Sequence, residues 1–383
     1  MLGVVTENKT LTPFRINVPQ ADIDDLRDRL ARARWPHPVP GRDDRADFSR
    51  GIPMAYLREL TEYWRDDFDW RAQEARLNEI EQVTTMIDGQ AFHIVHARSS
   101  NPHATPLLLH HGWPGSFVEY QRLLPLLTDE FHVVIPSLPG FGFSTPLAGT
   151  GWELARTAEA FAEIMTRLGY QRFAAHGTDT GTGVMARLAT IYPERVIGTH
   201  YGSERRLLGL IGALFPAPAD LSGEESSELA VMQTEAASER GYLEMQNHKP
   251  DTIGVALTDS PVALLAWIAE KFKARDNSYR TPDESVDRDQ LLANVTLYWF
   301  TRSGESSAQF YYEAQHSTVE RAMFAPVPTG WAVFDTHPLM RRVMNPTGAI
   351  AHWSEYAEGG HFPAMEQPTL LADDIRTFFR SIP

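Results

Sequence analysis

Phe173-Ala174-Ala175-His176-Gly177-Thr178-Asp179-Thr180-Gly181-Thr182-Gly183 decides the fold. A short apolar run meets a sharp turn, and a helix opens directly after it. The order small-x-nucleophile-x-small, with Gly177 and Gly181 as the small residues, is that of a nucleophile elbow. Glycines suit it because the turn is tight and the helix crosses close to the strand. Asp179 stands where a serine would attack acyl carbon. A carboxylate is a poor acyl nucleophile, but it displaces a good leaving group from sp³ carbon and leaves an alkyl-enzyme ester. Strained epoxides and alkyl halides are such substrates.

Outward from the elbow, strands and helices alternate. Val83–Ile87 and Ala91–Ala97 read as a hairpin around Asp88-Gly89. Leu107–His110, Val133–Ile135, Phe173–Ala175 and Val196–Tyr201 read as short apolar strands, and Trp152–Leu168 as an amphipathic helix. After an interruption the rhythm returns. Gly330–Asp335 is a strand, Leu339–Val343 a helix, Ile350–Tyr356 a strand and Thr369–Ser381 a helix. The expected class is α/β, a mostly parallel sheet flanked by helices in the α/β-hydrolase arrangement. Residues 83–202 and 323–383 form its core, and the helix-rich insertion 203–322 forms a lid. Residues 1–82 are an N-terminal extension with helices expected over Pro19–Arg34 and Pro53–Trp64. Tyr56, Leu57, Leu60 and Trp64 are expected as contacts with the main core.

The chain has 383 residues, 43% of them hydrophobic, enough for a large core. It has no cysteine, which rules out disulfides, thiolate metal sites and a thiol nucleophile. A net charge of −15 argues against a nucleic-acid partner. The longest apolar runs are of strand length, and Met1–Glu7 has no basic-then-apolar leader, so a cytoplasmic chain without a membrane anchor is expected. No spacing suggests a metal site. A homodimer is compatible with the sequence, but nothing in it demands one.

Three further motifs carry chemistry. His110-His111-Gly112-Trp113-Pro114-Gly115-Ser116 follows a strand and turns so that the Trp113 backbone N–H faces the nucleophile. With the Thr180 N–H it would form an oxyanion hole. In Gly359-Gly360-His361-Phe362, His361 follows the last strand in the position of a general base. The acid that orients it is expected at Asp335, at the end of the strand before. Glu204, after Val196–Tyr201, occupies an alternative acid location, and Glu305 stays open. A gap-free reading would put His337 at the acid's place.

The chain resembles the microsomal-type epoxide hydrolases of the α/β-hydrolase superfamily, in their soluble bacterial form. The likeness runs from about Pro13 to Phe379. It includes Pro13-Phe14-Arg15 to Trp35-Pro36, His111-Gly112-Trp113-Pro114-Gly115-Ser116, Pro136-Ser137-Leu138-Pro139-Gly140-Phe141-Gly142-Phe143-Ser144 and the aspartate elbow. It continues through Lys249-Pro250-Asp251-Thr252-Ile253-Gly254, Asp259-Ser260-Pro261, Glu270-Lys271-Phe272, Val327-Pro328-Thr329-Gly330 and Gly359-Gly360-His361-Phe362. The resemblance implies a cofactor-independent hydrolase that takes a small epoxide and water to a vicinal diol. It implies two lid tyrosines on the epoxide oxygen, matched here by Tyr242 and Tyr311. Many members carry tryptophan after the nucleophile, where this chain has Thr180. Trp113, Pro114, Phe141, Phe143 and Trp267 are the expected substrate contacts, suited to an apolar or aromatic epoxide. The competing expectations are a haloalkane dehalogenase, which would want a halide-binding N–H at position 180, and a catalytically silent ligand-binding relative.

Overall fold

A computed structural model describes residues 10–37, 39–41, 44–211, 217–274, 281–319 and 325–382. Met1–Glu7 and the expected boundary at 322/323 lie outside the described residues. Nine strands form one sheet in the order β1-β2-β3-β5-β4-β6-β7-β8-β9. They are β1 (Thr12–Phe14), β2 (Gln82–Ile87), β3 (Gln90–Ala97), β4 (Thr105–His110), β5 (Phe131–Pro136), β6 (Phe173–Thr178), β7 (Val196–Glu204), β8 (Thr329–Phe334) and β9 (His352–Glu355). The pairings β1–β2, β2–β3 and β3–β5 are antiparallel, and all others are parallel. The central strands β4, β5 and β6 are buried almost throughout, which is why they read as apolar runs without alternation.

Helices cover both faces. Helix Thr180–Ile191 crosses so close to β6 that a Cβ on Gly177 would lie 2.6 Å from the Gly181 oxygen. On the opposite face, Phe378 of helix Pro368–Ser381 packs against Gly330 of β8. Asp374 of that helix accepts hydrogen bonds from His200 (3.0 Å), His352 (2.6 Å) and the Tyr356 hydroxyl (2.6 Å). Burial alone would raise its pKa, but hydrogen bonds from His200, Ser354 and Tyr356 hold the carboxyl well below the usual range.

The N-terminal extension does not stand apart. β1 adds to the sheet edge, and Leu26, Leu30, Tyr56, Leu57, Leu60 and Trp64 are buried in the main core. The Trp64 indole N–H reaches Thr296, in the segment between β7 and β8, at 2.8 Å. The expected helices are found as Gln20–Ala31 and Met54–Asp66, and a third, Trp70–Leu77, follows. β1 is three residues containing a proline, too short to leave a period in the sequence. The other difference matters more. β7 continues past Tyr201 to Glu204, so the insertion begins two residues later than 203 and a carboxylate rides on the strand end. The described helices of that insertion run from Leu207–Ile211 to Ser303–His316, between β7 and β8. No single described helix is long and apolar enough to cross a membrane, although the bent pair Pro250–Asp259 and Pro261–Lys273 together would pass on length and composition.

Candidate active site

Asp179 sits between β6 and helix Thr180–Ile191 with φ of +50°, a conformation few non-glycine residues adopt. Such a residue costs about 1–3 kcal/mol and persists only where its surroundings dictate it. Here the surroundings are glycines. A Cβ on Gly112 would lie 2.2 Å from Asp179 Oδ1, and one on Gly181 would lie 2.5 Å from the His110 oxygen.

The carboxylate is held asymmetrically. The Trp113 backbone N–H donates to Oδ1 at 3.0 Å, and the Thr180 hydroxyl donates to the same oxygen at 3.0 Å. The Tyr311 hydroxyl lies 3.1 Å from Thr180 Oγ1 and 3.4 Å from Oδ1. Oδ2 instead faces His361 Nε2 at 3.3 Å. The Thr180 N–H is the first of its helix and has no carbonyl one turn back to bond to.

The other imidazole nitrogen of His361 meets Glu204. The Nδ1–Oε1 distance is 3.2 Å, and the Glu204 side chain is only 3% exposed, so the contact is little screened. Asp335 does not occupy this place. It adopts φ of +43° just past β8, and its carboxylate pairs with Arg205 Nε at 3.0 Å. The expectation of Asp335 as the acid is therefore corrected. His337 caps helix Pro338–Met344 through Nδ1, accepting from the Leu339 N–H at 3.3 Å. Glu305 lies on helix Ser303–His316 against Gly254.

Tyr242 and Tyr311 reach the cavity from two helices of the insertion, Gly241–His248 and Ser303–His316. Tyr242 stacks on Trp113 with centroids 4.8 Å apart and planes 11° from parallel, and Lys271 Nζ lies 4.6 Å from the Tyr242 ring centre. The cavity they share with Asp179, Glu204 and His361 holds about 470 Å³, inside the usual range for small-molecule sites. The expected substrate contacts do not form its wall. Trp113, Pro114, Phe141, Phe143 and Trp267 are not among the lining residues. Phe141 is fully buried against Tyr298 and Phe310. Phe143 packs on Phe14, His93 and Phe117, and the Trp267 indole N–H bonds Gln246 at 3.1 Å. These rings pack within the protein, and Trp113 faces the nucleophile through its backbone.

Glu119 is a further carboxyl near the nucleophile that the sequence did not single out. It is 2% exposed, and the Thr178 hydroxyl donates to it at 3.5 Å. Burial, and then the charge of Asp179, push its pKa up to about 8. It is neutral where Asp179 must be ionised. Its free-chain value is about 4.3, so the folded state holds a proton that the unfolded chain has released. Stability from this group is fully present below the unfolded value and is lost as pH rises through the folded one, at about 1.4 kcal/mol per unit. Urea unfolding at about pH 5 and about pH 8 should show a decline in the wild type that Glu119→Gln largely removes. An equal decline in both would exclude Glu119 as its source.

A nine-stranded, mostly parallel sheet with an elbow after β6 and a helical insertion between β7 and β8 is an α/β-hydrolase fold with a carboxylate at the nucleophile position. The profile of the alpha/beta hydrolase fold matches residues 105–198, and that of the Epoxide hydrolase N terminus matches residues 11–120. The chain belongs to the microsomal-type epoxide hydrolase family, and it is a hydrolase. A Stigmatella aurantiaca protein, provisionally named an epoxide hydrolase, is 40% identical over 97% of this chain and 85% of its own. Epoxide hydrolase 1 of Sus scrofa is 35% identical over 97% of this chain and 89% of its own. The Aspergillus niger epoxide hydrolase structure superposes with a TM-score of 0.83 at 29% identity, covering 99% of this chain and 98% of that one.

Proposed function

We propose that this enzyme hydrolyses an epoxide to a vicinal diol through an ester on Asp179. The observation that carries the reading is the division of that carboxylate, Oδ1 tethered by Trp113 and Thr180 and Oδ2 turned to His361 and the cavity. Oδ2 attacks a ring carbon, the C–O bond breaks, and its electron pair stays on the ring oxygen. Tyr242 and Tyr311 donate hydrogen bonds to that oxygen and supply its proton. His361 Nε2 then takes a proton from water as the water attacks the ester carbonyl carbon. The negative charge moves onto Oδ1, already aligned with the Trp113 N–H and close to the Thr180 N–H. Collapse breaks the ester, His361 returns its proton to the departing alkoxide oxygen to release the diol, and the new carboxyl, which keeps one water-derived oxygen, gives up its remaining proton to restore the tyrosine. Glu204 fixes the imidazole and stabilises its cationic form. The insertion between β7 and β8 acts as the lid that brings in the tyrosines, and no cofactor is called on.

The test is intact-protein mass of His361→Gln after exposure to styrene oxide. Blocking the second half-reaction should leave a gain equal to the whole epoxide, absent when Asp179→Ala is added. A gain from a chloroalkane alone, equal to its alkyl group, would instead make the chain a dehalogenase.

A further inference from the structure

Helix Thr180–Ile191 starts at the nucleophile and runs away from it along the cavity. Asp179, Gly183 and Arg187 are spaced by four residues, so they share one stripe of the helix, and all three line the cavity. Gly183 keeps the stripe low at its centre, where an added Cβ would press on Leu154 at 3.1 Å. Arg187 lies about 12 Å from the nucleophile along the axis, eight residues at the helical rise.

Arg187 is half-buried, its Nε is buried without a hydrogen-bond partner, and among the described residues no carboxylate pairs with it. The carboxylates around the cavity are committed elsewhere. Glu153 caps a helix by accepting from the Ala155 and Arg156 N–H groups at 2.8 and 2.9 Å. Glu204 meets His361 and the Arg206 N–H, and Asp179 is held as described. Glu244 pairs with Arg240 at 3.3 Å and His248 at 3.5 Å. A partly desolvated guanidinium without an anion is costly, and a ligand that brings one recovers the loss. The lining of the same cavity also includes the apolar residues Leu154, Leu243, Phe310 and Ala314.

We propose that Arg187 forms an anion-recognition subsite at the far end of the cavity, and that the substrate class is an elongated apolar epoxide bearing a carboxylate. A carboxylate is the best match, because its two oxygens take two guanidinium N–H groups at once. The chemistry of turnover rests on the epoxide-hydrolase reading, whereas anion binding at Arg187 does not.

Two measurements test it. The first is kcat/KM for an ω-epoxyundecanoate and for its methyl ester. The wild type should favour the free acid by on the order of tenfold or more, the worth of a charge-assisted hydrogen bond. Arg187→Gln should bring the ratio near one by raising KM for the acid, and Arg187→Lys should keep part of the preference. The second is calorimetric binding of undecanoate, which needs no turnover and should vanish in Arg187→Gln. A wild type indifferent to the acid, or a preference and undecanoate affinity that survive Arg187→Gln, would overturn the subsite. A chain inert to both epoxides that still binds undecanoate through Arg187 would sink the epoxide reading and leave the subsite standing.

Discussion

Glu204→Gln should slow turnover of styrene oxide by on the order of 10³- to 10⁴-fold, the loss seen when a triad acid becomes an amide, while Asp335→Asn should cost less than about threefold. Glu204 is the buried partner of His361 Nδ1, so in the proposed mechanism its charge would stabilise the imidazolium that forms as water attacks. An amide keeps the shape but removes that charge, and it offers the histidine the wrong hydrogen-bonding partner as readily as the right one. The loss should fall on the second half-reaction. Intact mass of Glu204→Gln during turnover should therefore show accumulated ester, and rapid mixing should show ester forming at close to the wild-type rate. Asp335 is tied to Arg205, so its neutral variant should show neither effect. If Asp335→Asn accumulates the ester and Glu204→Gln does not, the assignment of the acid reverses.

Tyr242→Phe combined with Tyr311→Phe should lower the rate of ester formation by on the order of 10³-fold or more, since one oxyanion donor is worth about 10²–10³. Ring opening puts negative charge on oxygen before any proton arrives, and in the proposed mechanism the two phenol O–H groups would stabilise it without reorganising. The single variants should each retain part of the rate, because the remaining phenol still donates. This loss lies in the first half-reaction, so no ester should accumulate, the opposite of the Glu204 variant. A double variant only a few-fold slower would remove the tyrosines from the mechanism.

The two experiments separate what the sequence made legible from what it did not. The elbow, the Trp113 turn and His361 are legible because each sits at a turn whose backbone geometry is local, whereas Tyr242 and Tyr311 enter only through the resemblance to the family. The acid could not. β7 and β8 are neighbours, with Glu204 opposite Phe334 in register, so Asp335 comes one residue beyond. Two carboxylates thus emerge at the tops of adjacent strands, and the pattern of apolar residues cannot tell which turns towards the histidine. What decides is backbone and partner. β7 stays extended through Glu204 and delivers it buried, while Asp335 turns into a left-handed conformation and finds Arg205. The misplaced aromatic contacts have a related cause. Apolar rings near a catalytic motif suit a substrate or a core equally well, and Phe141 and Phe143 went to the core. Glu119 and Arg187 carry no motif, and their meaning comes only from burial and from the absence or presence of neighbours.

The stack of Tyr242 on Trp113 joins two duties that act at different times. One residue of the pair is to hold the oxygen leaving the ring, and the other holds the oxygen of the ester. One sits on helix Gly241–His248 and the other on the turn after β4, yet the rings stack as a single plate, with Lys271 Nζ 4.6 Å from the Tyr242 ring centre. A guest bulky enough to pry the plate open would misalign both donors together. Steric selection at this point would then show itself as a simultaneous slowing of alkylation and hydrolysis, a signature distinct from that of any one missing hydrogen bond.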